Sequence, residues 1–351
     1  MNIHDILEQL VQAEGSDVHI VMGSPPMLRV HGNLKAVEGA PVLTAKQTEA
    51  LILPLLTQEQ KDYVAVNKEL DFGYSFQDKG RFRINVYNAQ GALGAAMRLI
   101  PSRIKSIEDL QLPPIMNEFS NFNQGLVLLT GPTGEGKSTT LASIIDLINS
   151  TRSEHIVTIE DPIEFIYKNK KSLVQQREVG THTASFATAL KAALRESTDV
   201  ILIGEMRDHE TIALALTAAE TGHLVLSTLH TSGAAKSVDR VIDIFPTEQQ
   251  NQIRAQLAQG LRAVVWQQLL KTTDGKGRVA ALEILFANNA VENLIRKGKT
   301  YQIQSVLETG MRDGMQTMEK SIKDLALQGY ITQELADSHI SALKTSLSES
   351  E

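Results

Sequence analysis

The chain has 351 residues, 42% of them apolar and 21% charged, with 23 Gly and 10 Pro; at about 100–200 residues per domain this implies two or three domains and excludes a mini-domain, a fibrous chain or a disordered one. Cys is absent, which excludes disulfides, thiol catalysis and Cys-ligated zinc. Lys and Arg total 34 against 41 Asp and Glu, a formal charge of −7, so the whole molecule has no electrostatic reason to coat nucleic acid. No window approaches the roughly 18 uninterrupted apolar residues of a membrane span. Met1-Asn2-Ile3-His4-Asp5 lacks the basic and apolar regions of a signal peptide, so a cytoplasmic location is expected.

In chain order, Ile3, Ile6, Leu7, Leu10 and Val11 recur at helical spacing, Gly15 is expected to stop that helix, and Asp17 to Val21 alternates as a strand. Pro25-Pro26 predicts a turn, and Met27 to Gly32 a second strand. Thr44 is a candidate N-cap for a helix carrying Leu51, Ile52 and Leu55, with further helix after Thr57 and strand patterns at 70–76, 81–87 and 93–100. These predict a small α+β domain with an antiparallel sheet over 1–99. Three prolines fall between Pro101 and Pro114, placing a linker at 100–106.

From Gly125 the rhythm becomes apolar runs followed by helical segments, the pattern of buried parallel strands and their crossovers. Gly125 to Thr130, Ile156 to Ile159, Val200 to Ile203 and Leu224 to Ser227 are the expected core strands of an α/β domain over 107–286. The remainder, 287–351, has helical periodicity through Leu294, Ile295, Ile303, Val306, Leu307, Leu325 and Leu327. Fraying is expected at Ser348 to Glu351.

Gly131-Pro132-Thr133-Gly134-Glu135-Gly136-Lys137-Ser138, followed by Thr139, matches G-x-x-x-x-G-K-[ST] between a strand and a helix, the context that a phosphate loop requires. Its glycines let successive N–H groups turn inward around phosphates, and the following helix presents its positive end to the same anion. Lys137 would reach the β and γ phosphates, and Ser138 would supply one ligand to Mg²⁺. Hydrolysis further needs a group that orients and deprotonates water. Carboxylates at strand ends are the candidates: Glu160, Asp161 and Glu164 after one apolar strand, Glu205 after another. In open α/β sheets ligands collect beyond the carboxyl ends of the strands, where both sets fall. His223 and His230 bracket a further strand from opposite ends, which does not suit a shared metal.

These stretches, in this order, resemble the secretion ATPase superfamily (GspE/PulE-like) and within it the PilT-type type IV pilus retraction ATPases. Gly15-Ser16-Asp17-Val18-His19 with Ser24-Pro25-Pro26 resembles the opening of that family's PAS-like N-terminal domain. Gly131 to Thr140 resembles its Walker A loop, Ile159 to Phe165 its Asp box, Leu194 to Asp208 its Walker B region, Thr221 to Thr231 its His box, and Met315 to Met318 a C-terminal stretch. The resemblance implies a RecA-like P-loop ATPase core behind the PAS-like domain, with a helical C-terminal tail. It implies a homohexamer that hydrolyses ATP with Mg²⁺ to power pilus retraction and twitching motility, peripheral on the inner membrane at the pilus base. A PilC-like inner-membrane platform protein and a PilU-like paralogue are the implied partners; no nucleic acid and no zinc are expected. Residue by residue, Glu164 takes the position of the family's catalytic glutamate and Glu205 that of the Walker B glutamate acting through Mg²⁺. His223 and His230 take the His-box positions, and Arg81, Arg83 and Arg98 match arginines that the family brings to the phosphates.

Three departures stand out. Glu135 replaces the small residue usual in the loop and is expected to weaken ATP binding unless it points away or pairs with a cation. Ser197-Thr198 replaces the usual Asp-Pro before Asp199. In Ala290-Val291-Glu292-Asn293-Leu294-Ile295-Arg296, Glu292 stands where the family has its first arginine, which leaves open a PilU-like accessory role. A nucleotide-binding scaffold with little turnover is the reading from a different class, motivated by Glu135.

Overall fold

The computed structural model describes residues 2–348 apart from 14, 31, 77, 78, 101 and 102, and side chains as far as residue 345. Pro101 and Ser102 of the expected linker, His31 of the second strand and the tail beyond Ser348 lie outside the described residues. The chain forms two compact units, Met1–Arg103 with Pro162–Ile166, and Ile104–Asp161 with Tyr167–Glu351.

The first unit opens with α1 (Ile3–Gln12), whose buried residues Ile3, Ile6, Leu7 and Leu10 follow the helical period. Asn2 and Asp5 exchange side-chain and backbone bonds of 2.9 and 3.0 Å, a capping box that satisfies two first-turn donors. The helix ends at Gln12 rather than at Gly15. Gly15 is needed for another reason: a Cβ there would lie 2.9 Å from the Arg29 carbonyl oxygen, so the chain could not pass the neighbouring strand so closely with a side chain.

Strands β1 (Asp17–Ile20), β2 (Met27–Val30) and β3 (Asn33–Ala36) are followed by α2 (Ala45–Ile52) and α3 (Gln58–Asn67), then β4 (Glu69–Phe76), β5 (Gly80–Ala89) and β6 (Ala92–Ile100). They form one antiparallel sheet in the order β3-β2-β1-β6-β5-β4. Every residue of β3 is exposed, so it carries no alternation for a sequence pattern to detect. The register sets Arg29 opposite Asp17, Asp17 opposite Arg98, Arg98 opposite Arg83 and Arg83 opposite Gly73. Directly opposed residues share a face, so three arginines and one aspartate form a row across the sheet.

The second unit contains β7 (Gly125–Thr130), α4 (Lys137–Thr151), β8 (His155–Glu160), β9 (Leu173–Glu178), α5 (Phe186–Ala193), β10 (Val200–Ile203), α6 (His209–Glu220) and β11 (Leu224–Leu229). It continues through α7 (Ala234–Asp243), α8 (Thr247–Gly260), β12 (Leu261–Lys271), β13 (Arg278–Phe286) and the C-terminal helices α9 (Asn289–Arg296), α10 (Ile303–Thr309), α11 (Met318–Leu327) and α12 (Gln333–Ser348). The sheet order is β13-β12-β7-β11-β10-β8-β9, parallel except for the antiparallel pair β12–β13. The α/β core with helical C-terminal region agrees with the expected fold class.

Every residue of β7, β10 and β11 is buried, as their unbroken apolar runs require. Strand β9 is polar and lies at an edge, and β12 and β13 follow the expected core strands; none of the three was expected. The chain leaves β7 through α4 and re-enters the sheet at β8, two strands beyond its neighbour β11. That jump opens the carboxyl end of β7 to the ends of β10 and β11, where an open α/β sheet binds ligands.

Candidate active site

The segment 131–136 joins β7 to α4. Gly131, Gly134 and Gly136 have φ of 136°, 86° and 76°. A Cβ on Gly131 would lie 2.5 Å from the Gln267 carbonyl oxygen, so only glycine allows the loop to pass β12 at this distance. Gly136 caps α4 without a side-chain bond, which leaves the first-turn N–H groups of a 15-residue helix available to an anion from outside. Lys137 is buried, its Nζ donating to Gly131 O at 2.6 Å and Pro132 O at 2.8 Å. Pro132, Thr133, Gly134 and Ser138 are exposed, and Glu135 and Thr139 half-buried.

The loop is held from outside by residues that the sequence reading did not single out. Pairing between β12 and β7 stops at Trp266 opposite Thr130, whereas β12 and β13 stay paired to Lys271. Past the end of β7, the free edge of β12 is taken up by the phosphate loop. Gln267 Nε2 donates to Glu135 O at 2.6 Å while its Oε1 accepts from Thr140 Oγ1 at 2.8 Å. The Glu135 carboxylate accepts from the Leu269 backbone N–H, and Arg278 Nη1 donates to Gly134 O at 3.2 Å. Glu135 therefore points onto β12, which meets the condition under which its charge is compatible with a bound polyphosphate. The signal available in the sequence was Gln267, a polar residue inside an apolar run and almost wholly buried.

At the carboxyl end of the same sheet, Glu205 Oε1 lies 3.0 Å from His230 Nε2 and Glu205 Oε2 lies 2.9 Å from Arg207 Nε. Bonds from Thr228 Oγ1 to Gly204 O, 2.6 Å, and from Ser227 Oγ to Ile203 O, 2.8 Å, fix β11 against β10 and hold Glu205 and His230 in reach. His223 precedes β11 at the other end of the strand, its Nδ1 3.1 Å from Ala218 O. The sheet thus brings Glu205 and His230 together and leaves His223 apart. Of the acidic residues after β8, Glu160 is buried and accepts from Thr158 Oγ1 at 2.7 Å, which ties it to the strand, and Asp161 is exposed.

Glu164 belongs with the first unit. Its Oε1 is 3.9 Å from Arg83 Nη1, and Arg81 Nε donates to Ile163 O at 3.3 Å. Arg83 also lies 3.8 Å from Asp71. Arg98, the most exposed of the three, is bonded to Asp17 Oδ1 at 2.9 Å, and Arg29 lies 3.5 Å from the other carboxylate oxygen. Burial opposes ionisation of Asp17, but the Ser16 hydroxyl and the Arg98 and Arg29 cations outweigh it and hold the carboxyl below its usual range. The Asp17 of the N-terminal motif is thus a buried anion between two arginines of the row.

The residues fit a nucleotide. An uncapped helix start, a loop whose glycines take left-handed φ and a lysine among loop carbonyls form an anion cradle. Among the described residues no group of three or more His, Asp or Glu is arranged to hold a metal ion. Mg²⁺ bound with a nucleotide takes one or two protein ligands beside phosphate oxygens and water, and the exposed Ser138 hydroxyl at the start of α4 is the group that would hold it. Among the same residues no helix is long and apolar enough to cross a membrane.

Residues 2–338 match the family described as type II/IV secretion system protein. The "Twitching motility protein" of Neisseria gonorrhoeae is 51% identical over 311 residues, 89% of this chain and 83% of that protein. The "Type IV pilus retractation ATPase PilT" of Pseudomonas aeruginosa is 46% identical over 336 residues, 96% of this chain and 97% of that protein. A crystal structure described as the pilus retraction motor PilT with bound ADP superposes with a TM-score of 0.89 at 44% identity, covering 96% of each chain. With the match running through both units at 46–51% identity to these relatives, the chain belongs to the type II/IV secretion system protein family.

Proposed function

We propose that this chain is an ATPase motor whose turnover powers type IV pilus retraction. The observation that carries it is a phosphate loop bound onto β12, with Glu205 and His230 paired at the neighbouring strand ends, in a chain so similar to proteins named for twitching motility and pilus retraction. Loop N–H groups and the first turn of α4 hold the phosphate oxygens. Lys137 exchanges the carbonyls of Gly131 and Pro132 for the β and γ phosphates, so its charge is kept inside the loop until substrate arrives. Ser138 and Glu205 are the residues that would hold Mg²⁺, which would supply positive charge to the phosphoryl oxygens when bound. Glu164 takes the proton of the attacking water, and Arg81, Arg83 and Arg98 supply positive charge as it develops on the transferred group. His230 fixes the orientation of Glu205. The working form is a homohexamer at the cytoplasmic face of the inner membrane, docked on a PilC-like platform protein.

The test pairs chemistry with cells. Lys137→Ala loses nucleotide binding, whereas Glu164→Ala and Glu205→Ala bind and turn over slowly, because the first removes ground-state contacts and the others remove help in the transition state. Cells lacking the gene stay piliated and do not retract, and Lys137→Ala does not restore them. Turnover unchanged in Glu164→Ala would reject the base; retraction unchanged by the deletion would reject the motor. One observation favours a PilU-like accessory role: Glu292 on α9 lies 3.8 Å from Arg296, one turn on, so an ion pair occupies the helix face at the position where the resemblance puts an arginine. If Glu292→Arg converts a chain that needs a paralogue into one that retracts alone, the accessory reading holds.

A further inference from the structure

Glu283 of β13 is a buried carboxylate outside the residues assigned above. The register places it opposite Trp266, which is opposite Thr130, which is opposite Leu229. It therefore shares one face and one row with the last residues of β7 and β11, immediately before the phosphate loop and His230. Its Oε1 accepts from the backbone N–H of Ala234 at 2.8 Å, and the carboxylate also accepts from the backbone N–H of Met318. Burial pushes its carboxyl above the usual range, and these two donors work against that shift.

The two donors begin two different helices. Ala234 starts α7 directly behind His230–Gly233, and its N-cap, Gly233, offers no side chain of its own. Thr231 Oγ1 contacts Ser237 Oγ at 2.7 Å and Ser237 Oγ donates to Gly233 O at 2.7 Å, so the loop after His230 moves with the first turn of α7. Met318 starts α11, which is tied to β13 by a bond of 2.9 Å from Leu282 N to Ser321 Oγ and by the paired backbones of Ile284 and Gln316. One carboxylate thus supplies the missing cap of the helix behind His230 and anchors the start of a C-terminal helix.

We propose that Glu283 is a positioning residue for turnover, linking the seat of α11 to the loop that carries His230 and hence to the His230–Glu205 pair. The proposal rests on the ATPase reading. Glutamine at this position keeps the shape but loses the negative charge and one of the two acceptor oxygens, so its hold on the two helix starts is weakened.

The test compares wild type with Glu283→Gln in the full chain by ATP turnover and amide hydrogen exchange. Expected are a kcat lower by about ten- to a hundredfold with KM for ATP within about threefold, and faster exchange at both 231–237 and 317–321. A KM that rises with unchanged kcat, or exchange unchanged at either segment, overturns the proposal. Should the variant fail to fold, the wild type alone decides: a bound ATP analogue must slow exchange at 317–321 as well as at 231–237, and a change confined to 231–237 overturns the link. A wild type that does not hydrolyse ATP sinks the ATPase reading, while the exchange comparison between wild type and variant still tests the linkage.

Discussion

Replacing Glu135 by Ala sets two opposite effects against each other. The carboxylate accepts from Leu269 N–H on a strand edge that β7 no longer covers. A hydrogen bond to a charged acceptor contributes about 1.5–3 kcal/mol. If the loop must hold this shape to receive phosphates, losing the bond lowers ATP affinity by up to roughly 10–150-fold at about 1.4 kcal/mol per tenfold. The bonds from Gln267 and Arg278 to the loop carbonyls remain, so the expected loss is near the lower end, about tenfold. The opposing effect is repulsion between a carboxylate and the polyphosphate, worth up to about 4 kcal/mol for unit charges 4 Å apart near a protein surface. Because the carboxylate is turned onto β12, the first effect should win. Calorimetric titration with ADP or a non-hydrolysable ATP analogue measures the sign: Glu135→Ala weakens binding, and Glu135→Gln, which keeps an acceptor for Leu269, stays within about fivefold of wild type. If Ala and Gln tighten binding alike, charge governs at this position and the strap has no role.

Gln267→Leu leaves Thr140 Oγ1 and Glu135 O without their partner; at about 1–3 kcal/mol per buried unsatisfied group, both the melting temperature and ADP affinity should fall, and an unchanged melting temperature would contradict the clamp. Asp17 gives a pH dependence. Its folded-state pKa is depressed, so its contribution is fully present above the unfolded value of about 3.9 and is lost as pH falls through the lower folded value. Urea midpoints of wild type and Asp17→Asn should therefore differ at pH 6 and draw together as pH falls below about 3.9, and a gap at pH 2 as large as that at pH 6 would refute the assignment. Glu205→Gln should lower kcat by about 10²–10³ while nucleotide affinity stays within severalfold; steady-state phosphate release read beside equilibrium binding separates the two.

Much of the core could be read from the chain because burial on both faces leaves no polar positions. The runs Leu126 to Leu129, Val200 to Ile203 and Leu224 to Leu226, short, apolar and rich in β-branched residues or leucine, are the buried strands that this pattern predicts. The phosphate loop was legible because its chemistry is local: Gly131, Gly134, Gly136 and Lys137 act within a few residues of one another. Strands β3 and β9 were not, since an exposed or polar edge strand carries no hydrophobic period. Gly15 was read as a helix stop, when its need arises from the distance to β2, which no local pattern encodes.

The sequence by itself determined the chemistry available to this protein: a loop that binds phosphates, carboxylates and histidines at strand ends, and arginines on an antiparallel sheet. Tertiary structure alone decided which of those groups act together. Register and strand order pair Glu205 with His230 and leave His223 at the far end, turn Glu135 from the phosphates onto β12, and set Glu283 between two helix starts. The reason is physical: a hydrogen bond or charge acts over a few ångströms of space, and residues more than a hundred positions apart, such as Glu135 and Leu269, come within that distance only when the sheet forms.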